Sequence, residues 1–311
     1  MKIVFLDAAT MGQDISFEPI GRHGDLICYD SSSPEQAIER VGDCEVLIVN
    51  KVKVTKELID AAPSLRLICE AATGVNNIDI KYAESKGIPV KNVAGYSTDS
   101  VVQTTFMHIL SLCGHSRYFD DTVKEGKYAG SGMFTDITVP FYELSGKKIG
   151  IVGMGKIGYG VAKVASAFGM HVSYFSTSGT SHCTEYPSVT LEQLMSESDI
   201  VSVHAPYNEN TASLIGEKQL SLMKKTAIVV NMGRGGIIDE QALADAVDSG
   251  TIAGAALDVF VGEPLALDNP LMKVVHKERL SLSPHIAWAS IEARTRLMES
   301  IGNNVATARE D

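Results

Sequence analysis

The sequence Gly153-Met154-Gly155-Lys156-Ile157-Gly158 follows an apolar run over residues 148–152 and precedes a helical pattern, and it gives the clearest indication of the fold. Glycines here permit a tight turn and let backbone N–H groups approach a pyrophosphate at the positive end of the helix. The last glycine also lets the helix pack closely on the strand. Between a strand and a helix, the motif predicts a dinucleotide site formed by Gly153, Gly155, Lys156, Ile157 and Gly158.

Outward from this motif, short β-branched runs alternate with helix-length amphipathic segments, a pattern typical of parallel sheets covered by helices. Beginning with the strand before the motif, the second half of the chain predicts strands at residues 148–152, 171–175, 200–204, 227–231, 254–259 and 280–283. The first hundred residues predict strands at 2–7, 26–30, 46–50, 66–69 and 90–93. We therefore predict an α/β protein with two doubly wound parallel sheets, a Rossmann NAD(P)-binding domain and a flavodoxin-like substrate domain.

The substrate domain is expected to be discontinuous. A long apolar helix from residue 101 to about 113 suggests a crossover between domains, and the helical pattern from 291 to 311 suggests a return to the first sheet. We assign residues 1–98 and 286–311 to the substrate domain and 99–285 to the dinucleotide-binding domain. Residues 116–142 have weak periodicity and several aromatic side chains, which is consistent with either an irregular loop or an arm packed against a second subunit.

Composition limits the possible partners and compartment. The chain has 311 residues, 45% of them hydrophobic, which is enough for two cores. A net charge of −11 disfavours nucleic acid. The five cysteines are scattered without a CxxC pair, so we expect no disulfide framework, no metal site and a cytoplasmic location. No signal peptide and no apolar run of roughly 20 residues is visible, so we expect no membrane association.

Three segments that follow predicted strands carry polar groups suited to carbonyl reduction. They are Asn231-Met232-Gly233-Arg234-Gly235-Gly236, Leu257-Asp258-Val259-Phe260-Val261-Gly262-Glu263-Pro264 and Ser283-Pro284-His285-Ile286. Ligands of open α/β sheets bind at the carboxyl edge of the strands. The three segments are therefore expected to converge on one crevice.

Each segment offers one candidate catalytic residue. Arg234 can bind a carboxylate in bidentate fashion and polarise a neighbouring carbonyl. His285 can exchange the hydroxyl proton of the substrate, because imidazole titrates near neutral pH. Glu263 can hydrogen-bond the other ring nitrogen and favour the imidazolium form. The alternatives, a solvated surface charge and an ordinary structural histidine, are disfavoured by the position of these residues at the predicted edge.

The sequence leaves the choice of cofactor open. The strand after the glycine motif commonly ends in an acidic residue that binds the adenosine ribose, about 20 positions on. Ser176 occupies that place here, followed by Thr177 and Ser178. The missing carboxylate removes repulsion toward a 2′-phosphate, yet no Arg or Lys stands beside it to attract one. The cofactor is therefore NAD or NADP, and these hydroxyls either bind it or only form a turn.

At these residues the sequence strongly resembles the D-isomer-specific 2-hydroxyacid dehydrogenase family, over nearly the whole chain. The resemblance includes the glycine motif, residues 202–206 and the three polar segments. It implies that Arg234, Glu263 and His285 are the catalytic set and that Asp258 contacts the nicotinamide carboxamide. It further implies contacts of the cofactor with Thr104, His204, Pro206, Met232 and Gly233. Backbone N–H groups near Thr73, Gly74 and Val75 would hold the substrate carboxylate together with Arg234 and His285.

Within this family, the chain is most similar to glycerate dehydrogenases, also called hydroxypyruvate reductases. The similarity rests on residues 50–51, 72–79, 96–103 and 285–290. It implies an oxidoreductase, commonly a homodimer, that transfers a hydride between NAD(P)H and a small 2-oxo acid to give the D-2-hydroxy acid, with hydroxypyruvate or glyoxylate as substrate. The alternatives are a different 2-oxo acid and a nucleotide-sensing binding protein resembling the corepressors that share this fold.

Overall fold

The computed structural model describes residues 1–308, which form two compact units. Unit 1 contains Met1–Ser97 and residues 288–308, and unit 2 contains Thr98–Ala287. Residues 309–311, the end of the predicted segment 286–311, lie outside the described residues. The discontinuous first unit agrees with the predicted fold class, whereas the assignment of substrate binding to it stays a prediction.

Unit 1 is built on a five-stranded parallel sheet with the order β2-β1-β3-β4-β5, the flavodoxin-like order that the sequence predicted. Its strands are β1 (Lys2–Phe5), β2 (Asp25–Cys28), β3 (Val46–Val49), β4 (Leu67–Glu70) and β5 (Val90–Lys91). Its helices are α1 (Glu18–Gly21), α2 (Pro34–Val41), α3 (Lys56–Asp60), α4 (Ile80–Ser85) and α13 (Ile291–Thr307). Strands β3 and β4 are buried at every position, which explains their continuous apolar runs.

Helix α13 completes the core of unit 1. Its buried residues Leu297 and Ile301 join the cluster that contains Ile3 and Phe5 of β1. Gly302 makes this packing possible, because a Cβ at that position would lie 2.3 Å from the carbonyl oxygen of Pro19. The C-terminal segment therefore returns to the first sheet in order to bury its apolar face.

Unit 2 contains six parallel strands in the order β11-β10-β9-β8-β6-β7. They are β6 (Lys148–Val152), β7 (His171–Phe175), β8 (Ile200–Val203), β9 (Ile228–Asn231), β10 (Gly254–Leu257) and β11 (Leu280–Leu282). The helices are α5 (Thr98–Cys113), α6 (Ser116–Lys124), α7 (Lys127–Gly130), α8 (Lys156–Ala167), α9 (Leu191–Glu197), α10 (Glu217–Ser221), α11 (Glu240–Asp248) and α12 (Pro270–Lys273). Tyr174 of β7 also forms an isolated parallel bridge with Ser188, which lies outside the strands just given. Counting this bridge as the third strand gives the Rossmann order 3-2-1-4-5-6, followed by β11.

The segment 116–142 differs from an irregular loop, because its first part forms helices α6 and α7. The remaining residues, 131–142, have neither helix nor strand. Several large apolar side chains are exposed along it, with Phe134 88% and Ile137 81% exposed. Within residues 1–308, no helix is long and apolar enough to cross a membrane.

Candidate active site

The carboxyl ends of the six strands of unit 2 are aligned along one edge of the sheet. The register pairs Phe175 with Val152, Val152 with Val203, Val203 with Asn231, Asn231 with Leu257, and Leu257 with Leu282. The predicted site residues of unit 2 outside helix α5 follow these positions along the chain. Because parallel strands place their carboxyl ends at the same edge, these side chains leave the sheet on one side.

The glycine turn between β6 and α8 has the shape that a dinucleotide requires. Gly153 has φ +93°, and a Cβ there would lie 2.9 Å from the backbone of Ala205. At Gly158, a Cβ would lie 2.2 Å from the carbonyl oxygen of Gly153, so only glycine allows this approach. Among residues 1–308, by contrast, nothing lies within 4 Å of a Cβ built at Gly155, and no side chain caps α8. The open space and the uncapped N–H groups at Gly155, Lys156 and Ile157 fit a bound pyrophosphate.

Close backbone contacts bring the loops after β8, β9 and β10 together. A Cβ at Gly233 would lie 2.8 Å from the carbonyl oxygen of Ala205, and a Cβ at Gly235 would lie 2.0 Å from that of Phe260. The backbone N–H of Phe260 in turn donates to Glu263 Oε1 at 3.0 Å. The loop that carries Arg234 is therefore in contact with the loop that carries Glu263.

The imidazole of His285 is paired with Glu263. His285 Nδ1 lies 2.6 Å from Glu263 Oε2, and the two side chains are 26% and 31% exposed. The carboxylate can only accept, so Nδ1 carries the proton in this bond. Nε2 is therefore the ring nitrogen left to exchange a proton with a ligand. His285 also has φ 54°, a left-handed conformation that residues with a Cβ rarely adopt.

Asp258 anchors the loop that contains His285. Its buried carboxylate accepts hydrogen bonds from Ser283 Oγ (2.5 Å), the N–H of Ile286 (2.8 Å) and the N–H of Ala287 (2.8 Å). The sequence did not predict this role of Asp258 or any role for Ser283. The signal that could have found it is the buried position of an acidic residue directly after a core strand, since such a residue needs several donors. The contact of Asp258 with nicotinamide stays a prediction.

Arg234 is exposed on the loop after β9. Its Nη1 donates to the carbonyl oxygen of Gly233 at 2.8 Å, and Asn231 Nδ2 donates to the carbonyl oxygen of Arg234 at 2.9 Å. A guanidinium has five N–H donors, so this arrangement leaves donors for an anion. The asparagine thus fixes the backbone from which the guanidinium extends.

The other predicted cofactor residues of unit 2 have different environments. Ser176 Oγ donates to the carbonyl oxygen of Thr180 at 2.7 Å, which fixes a turn after β7. His204 Nε2 lies 2.8 Å from Ser202 Oγ, and burial lowers the pKa of His204 to about 3, so the ring is neutral. The side chains of Thr104, on α5, and Met232 are buried. Pro206 is exposed beyond β8.

Thr73, Gly74 and Val75 lie in unit 1, after the end of β4. Thr73 Oγ1 donates to the carbonyl oxygen of Val93 at 2.9 Å, which holds the loop against the segment after β5. Trp288 packs edge-on against Tyr96 within unit 1. Within residues 1–308, no group of His, Cys, Asp or Glu side chains is arranged to hold a metal ion.

A Rossmann sheet whose glycine turn shares an edge with a histidine–carboxylate pair defines a class of protein, the nicotinamide-dependent oxidoreductases that act on carbonyl groups. The family model for the NAD-binding domain of D-isomer specific 2-hydroxyacid dehydrogenases matches residues 106–287. The chain therefore belongs to the D-isomer specific 2-hydroxyacid dehydrogenase family and is an NAD(P)-dependent enzyme.

Individual relatives agree with this assignment. The hydroxypyruvate reductase of Blautia hydrogenotrophica is 36% identical, over 98% of this chain and 96% of that protein. The glycerate dehydrogenase of Methylorubrum extorquens is 33% identical, over 98% of this chain and 95% of that protein. Among solved structures, an acyclic imino acid reductase in complex with NADPH and D-Arg has a TM-score of 0.86 at 30% identity, covering 100% of this chain and 97% of that one. The expected fold class, enzyme class and family are thereby confirmed.

Proposed function

We propose that this enzyme reduces a small 2-oxo acid to the D-2-hydroxy acid, with hydroxypyruvate and glyoxylate as its preferred substrates. The observation that carries the proposal is the His285–Glu263 pair, 2.6 Å apart, on the sheet edge that also bears the glycine turn. The names of the relatives support the choice of substrate, since they include hydroxypyruvate, glyoxylate and glycerate enzymes.

In this proposal the chain's own residues bind the acid and move one proton. When bound, the reduced nicotinamide supplies the hydride. Nε2 of His285 donates the proton to the oxygen that becomes the hydroxyl group, while Glu263 stabilises the imidazolium through Nδ1. Arg234 binds the carboxylate and stabilises negative charge that develops on the neighbouring oxygen. We also assign backbone N–H groups of Thr73, Gly74 and Val75 to carboxylate binding.

For the cofactor, we assign the pyrophosphate to Gly153, Gly155, Lys156, Ile157 and Gly158. Ser176 is assigned to the adenosine ribose, and the absence of an acidic side chain there supports use of NADP as well as NAD. Thr104, His204, Pro206, Met232, Gly233 and Asp258 are proposed as further cofactor contacts.

The direct test is a panel of 2-oxo acids assayed with NADH and with NADPH by the loss of absorbance at 340 nm. The panel contains hydroxypyruvate, glyoxylate, pyruvate and one bulkier acid. We expect the highest kcat/KM with hydroxypyruvate or glyoxylate. A higher value with pyruvate or the bulkier acid would overturn the proposed substrate, and no oxidation with any acid would favour a nucleotide-sensing binding protein.

We further propose that the protein is a cytoplasmic homodimer whose segment 116–142 packs against the second subunit. Exposed apolar side chains support this use of the segment, because monomers rarely leave such side chains grouped in contact with water. They include Val123, Met133, Phe134, Ile137, Phe141 and Tyr142, each at least 60% exposed. All five cysteines are free, which suits a reducing compartment.

A further inference from the structure

The proposed chemistry does not use His108, a histidine of helix α5 that is only 2% exposed. Its ring is hydrogen-bonded at both nitrogens. Nδ1 lies 2.8 Å from Ser281 Oγ, and Nε2 lies 2.9 Å from Ser283 Oγ. The same Ser283 oxygen lies 2.5 Å from Asp258 Oδ1. A continuous line of hydrogen bonds thus runs from Ser281 through His108 and Ser283 to Asp258.

The direction of every bond in this line follows from its last member. Oδ1 of Asp258 accepts from the N–H of Ile286 and from the hydroxyl of Ser283, which donates its single proton to this oxygen. The oxygen of Ser283 must then accept from His108, which places a proton on Nε2. Burial lowers the pKa of His108, so the ring is neutral and Nδ1 is the acceptor for Ser281. A single tautomer of His108, with the proton on Nε2, is compatible with all of these hydrogen bonds.

The line ends at the loop that carries the proposed acid. The carboxylate of Asp258 accepts from the N–H groups of Ile286 and Ala287, which directly follow His285. His285 itself has φ 54°, and its N–H donates to the carbonyl oxygen of Ser283 at 3.1 Å. A residue with a Cβ keeps such a conformation only where surrounding contacts hold it. Asp258 and Ser283 contribute to holding it here, together with Glu263, which pairs with the His285 ring, and Ser100, whose Oγ donates to the carbonyl oxygen of Ala287 at 2.6 Å.

We propose that His108 is a positioning residue that acts through Ser283 and Asp258 to fix the loop bearing His285. Because the oxygen of Ser283 accepts the hydrogen bond from Nε2, its hydroxyl proton points toward Asp258 and donates to the carboxylate. The carboxylate is then fixed between this hydroxyl and the two amides of the loop. The consequence for turnover rests on the proposed function of His285, whereas the hydrogen-bonded line and its effect on the loop do not.

The first test is amide hydrogen exchange at Ile286 and Ala287 in the ligand-free enzyme. His108→Leu removes both ring hydrogen bonds and replaces the ring by an apolar side chain of similar size. We expect exchange at both amides to accelerate about tenfold or more, while core amides of β6 and β8 keep their rates. The control is Thr105→Val, which removes a buried hydroxyl that donates to Val101 on the same helix. Unchanged exchange in His108→Leu would overturn the proposal.

A conservative variant separates hydrogen bonding from packing. His108→Gln retains a side-chain N–H group that can donate to Ser283, so we expect exchange at the two amides to return toward the wild-type rate. Exchange as fast as in His108→Leu would show that only the shape of the ring matters, which would overturn the positioning role. In the wild-type enzyme, ¹⁵N-labelled histidine should show Nε2 of His108 protonated and Nδ1 unprotonated. The opposite tautomer would also overturn the proposal.

Steady-state kinetics test whether the conformation of the His285 loop affects turnover. We expect His108→Leu to lower kcat about tenfold or more, because a displaced acid slows proton transfer, while KM for the nicotinamide cofactor changes less than about twofold. Faster exchange without a loss of kcat would overturn the positioning role. If the wild-type enzyme reduced none of the oxo acids, the proposed function would fail, and the exchange and tautomer results would still decide on the hydrogen-bonded line.

Discussion

At the scale of single residues, the proposed chemistry depends on His285 and its partner Glu263. Replacement of His285 by Ala removes the proton donor, so we expect kcat to fall by roughly two to four orders of magnitude. Cofactor affinity should remain nearly unchanged, because the glycine turn is untouched. Steady-state kinetics and equilibrium titration with NADH measure the two effects.

A matched control exists on the surface of the same unit. His276 also pairs with a carboxylate, since its Nδ1 lies 3.0 Å from Glu278 Oε1. Removing this pair in His276→Ala should leave kcat at the wild-type value. Wild-type turnover in His285→Ala would contradict the assigned acid.

The cofactor preference also belongs to a single position. Ser176 directly follows β7, where an acidic residue would repel a 2′-phosphate. We expect Ser176→Asp to lower kcat/KM with NADPH by roughly tenfold or more, while kcat/KM with NADH is kept or improved. Ser176→Asn is the control for side-chain size, because Asn has the shape of Asp without its charge. An equal loss with both cofactors would show that the hydroxyl serves only the turn.

At the level of secondary-structure elements, two glycines of the turn between β6 and α8 have different roles. Gly158 is needed for the helix to pack on the strand, and Gly155 borders the proposed cofactor site. A Cβ at Gly158 would lie 2.2 Å from a backbone oxygen, whereas a Cβ at Gly155 would meet no atom of the described chain within 4 Å. We expect Gly158→Ala to lower the Tm by about 5 °C or more, because strand and helix must separate. Gly155→Ala should keep the wild-type Tm and bind the cofactor less tightly, because its methyl group occupies the space proposed for the pyrophosphate.

Thermal unfolding and equilibrium titration with NADH distinguish the two glycine variants. Equal Tm values for both would mean that the close approach of α8 to β6 does not require glycine. Cofactor binding by Gly155→Ala as tight as in the wild type would remove the pyrophosphate from this turn.

Also at this scale, the sequence correctly predicted the eleven strands that the structure describes within residues 1–308. Strands β3, β8 and β9 are buried at every position and rich in Val and Ile, which makes them easy to recognise. The sequence missed the bridge at Ser188, where a single residue pairs with Tyr174 and no run of apolar residues marks a strand. It also gave no helix at α6, a nine-residue element in which only Thr122 is buried and which therefore has no run of core positions. Both errors concern elements with little burial.

At the scale of the whole molecule, the stability of unit 1 should fall as pH rises. Burial raises the pKa of Glu70 to about 8, from an ordinary value of 4.5, although Asn77 Nδ2 donates to its Oε2 at 2.9 Å. Between these two values the folded state keeps a proton that the unfolded state has released, so the free energy of unfolding decreases with pH. From pH 6 to pH 8 the decrease is about 2–3 kcal/mol.

Glu70→Gln should remove most of this decrease. Trp288, the only tryptophan, packs on the core of unit 1 and reports its urea unfolding by fluorescence. The exposed Glu84 provides the control variant Glu84→Gln, whose pH dependence should match that of the wild type. A wild-type urea midpoint that does not change between pH 6 and pH 8 would contradict the raised pKa.

The proposed homodimer is a second property of the whole molecule. We expect Phe134→Ser combined with Ile137→Ser to shift the protein from dimer toward monomer in sedimentation velocity, because both apolar side chains would leave the interface. Leu267→Ser is the control, since Leu267 is 87% exposed but lies outside the segment 116–142. A wild-type protein that sediments as a monomer at micromolar concentration would refute the dimer.

The amino-acid sequence alone predicts the two α/β units, the place of the glycine turn and the presence of Arg234, Glu263 and His285 after neighbouring strands. Such features are local, because hydrophobic period, glycine spacing and strand ends can be read over a few residues. The contacts of Asp258 and Ser283 with the loop of His285, and of His108 of α5 with Ser283, are visible only once the chain is folded. These contacts join residues far apart in the chain, and a buried polar group takes whichever partner the packing brings to it.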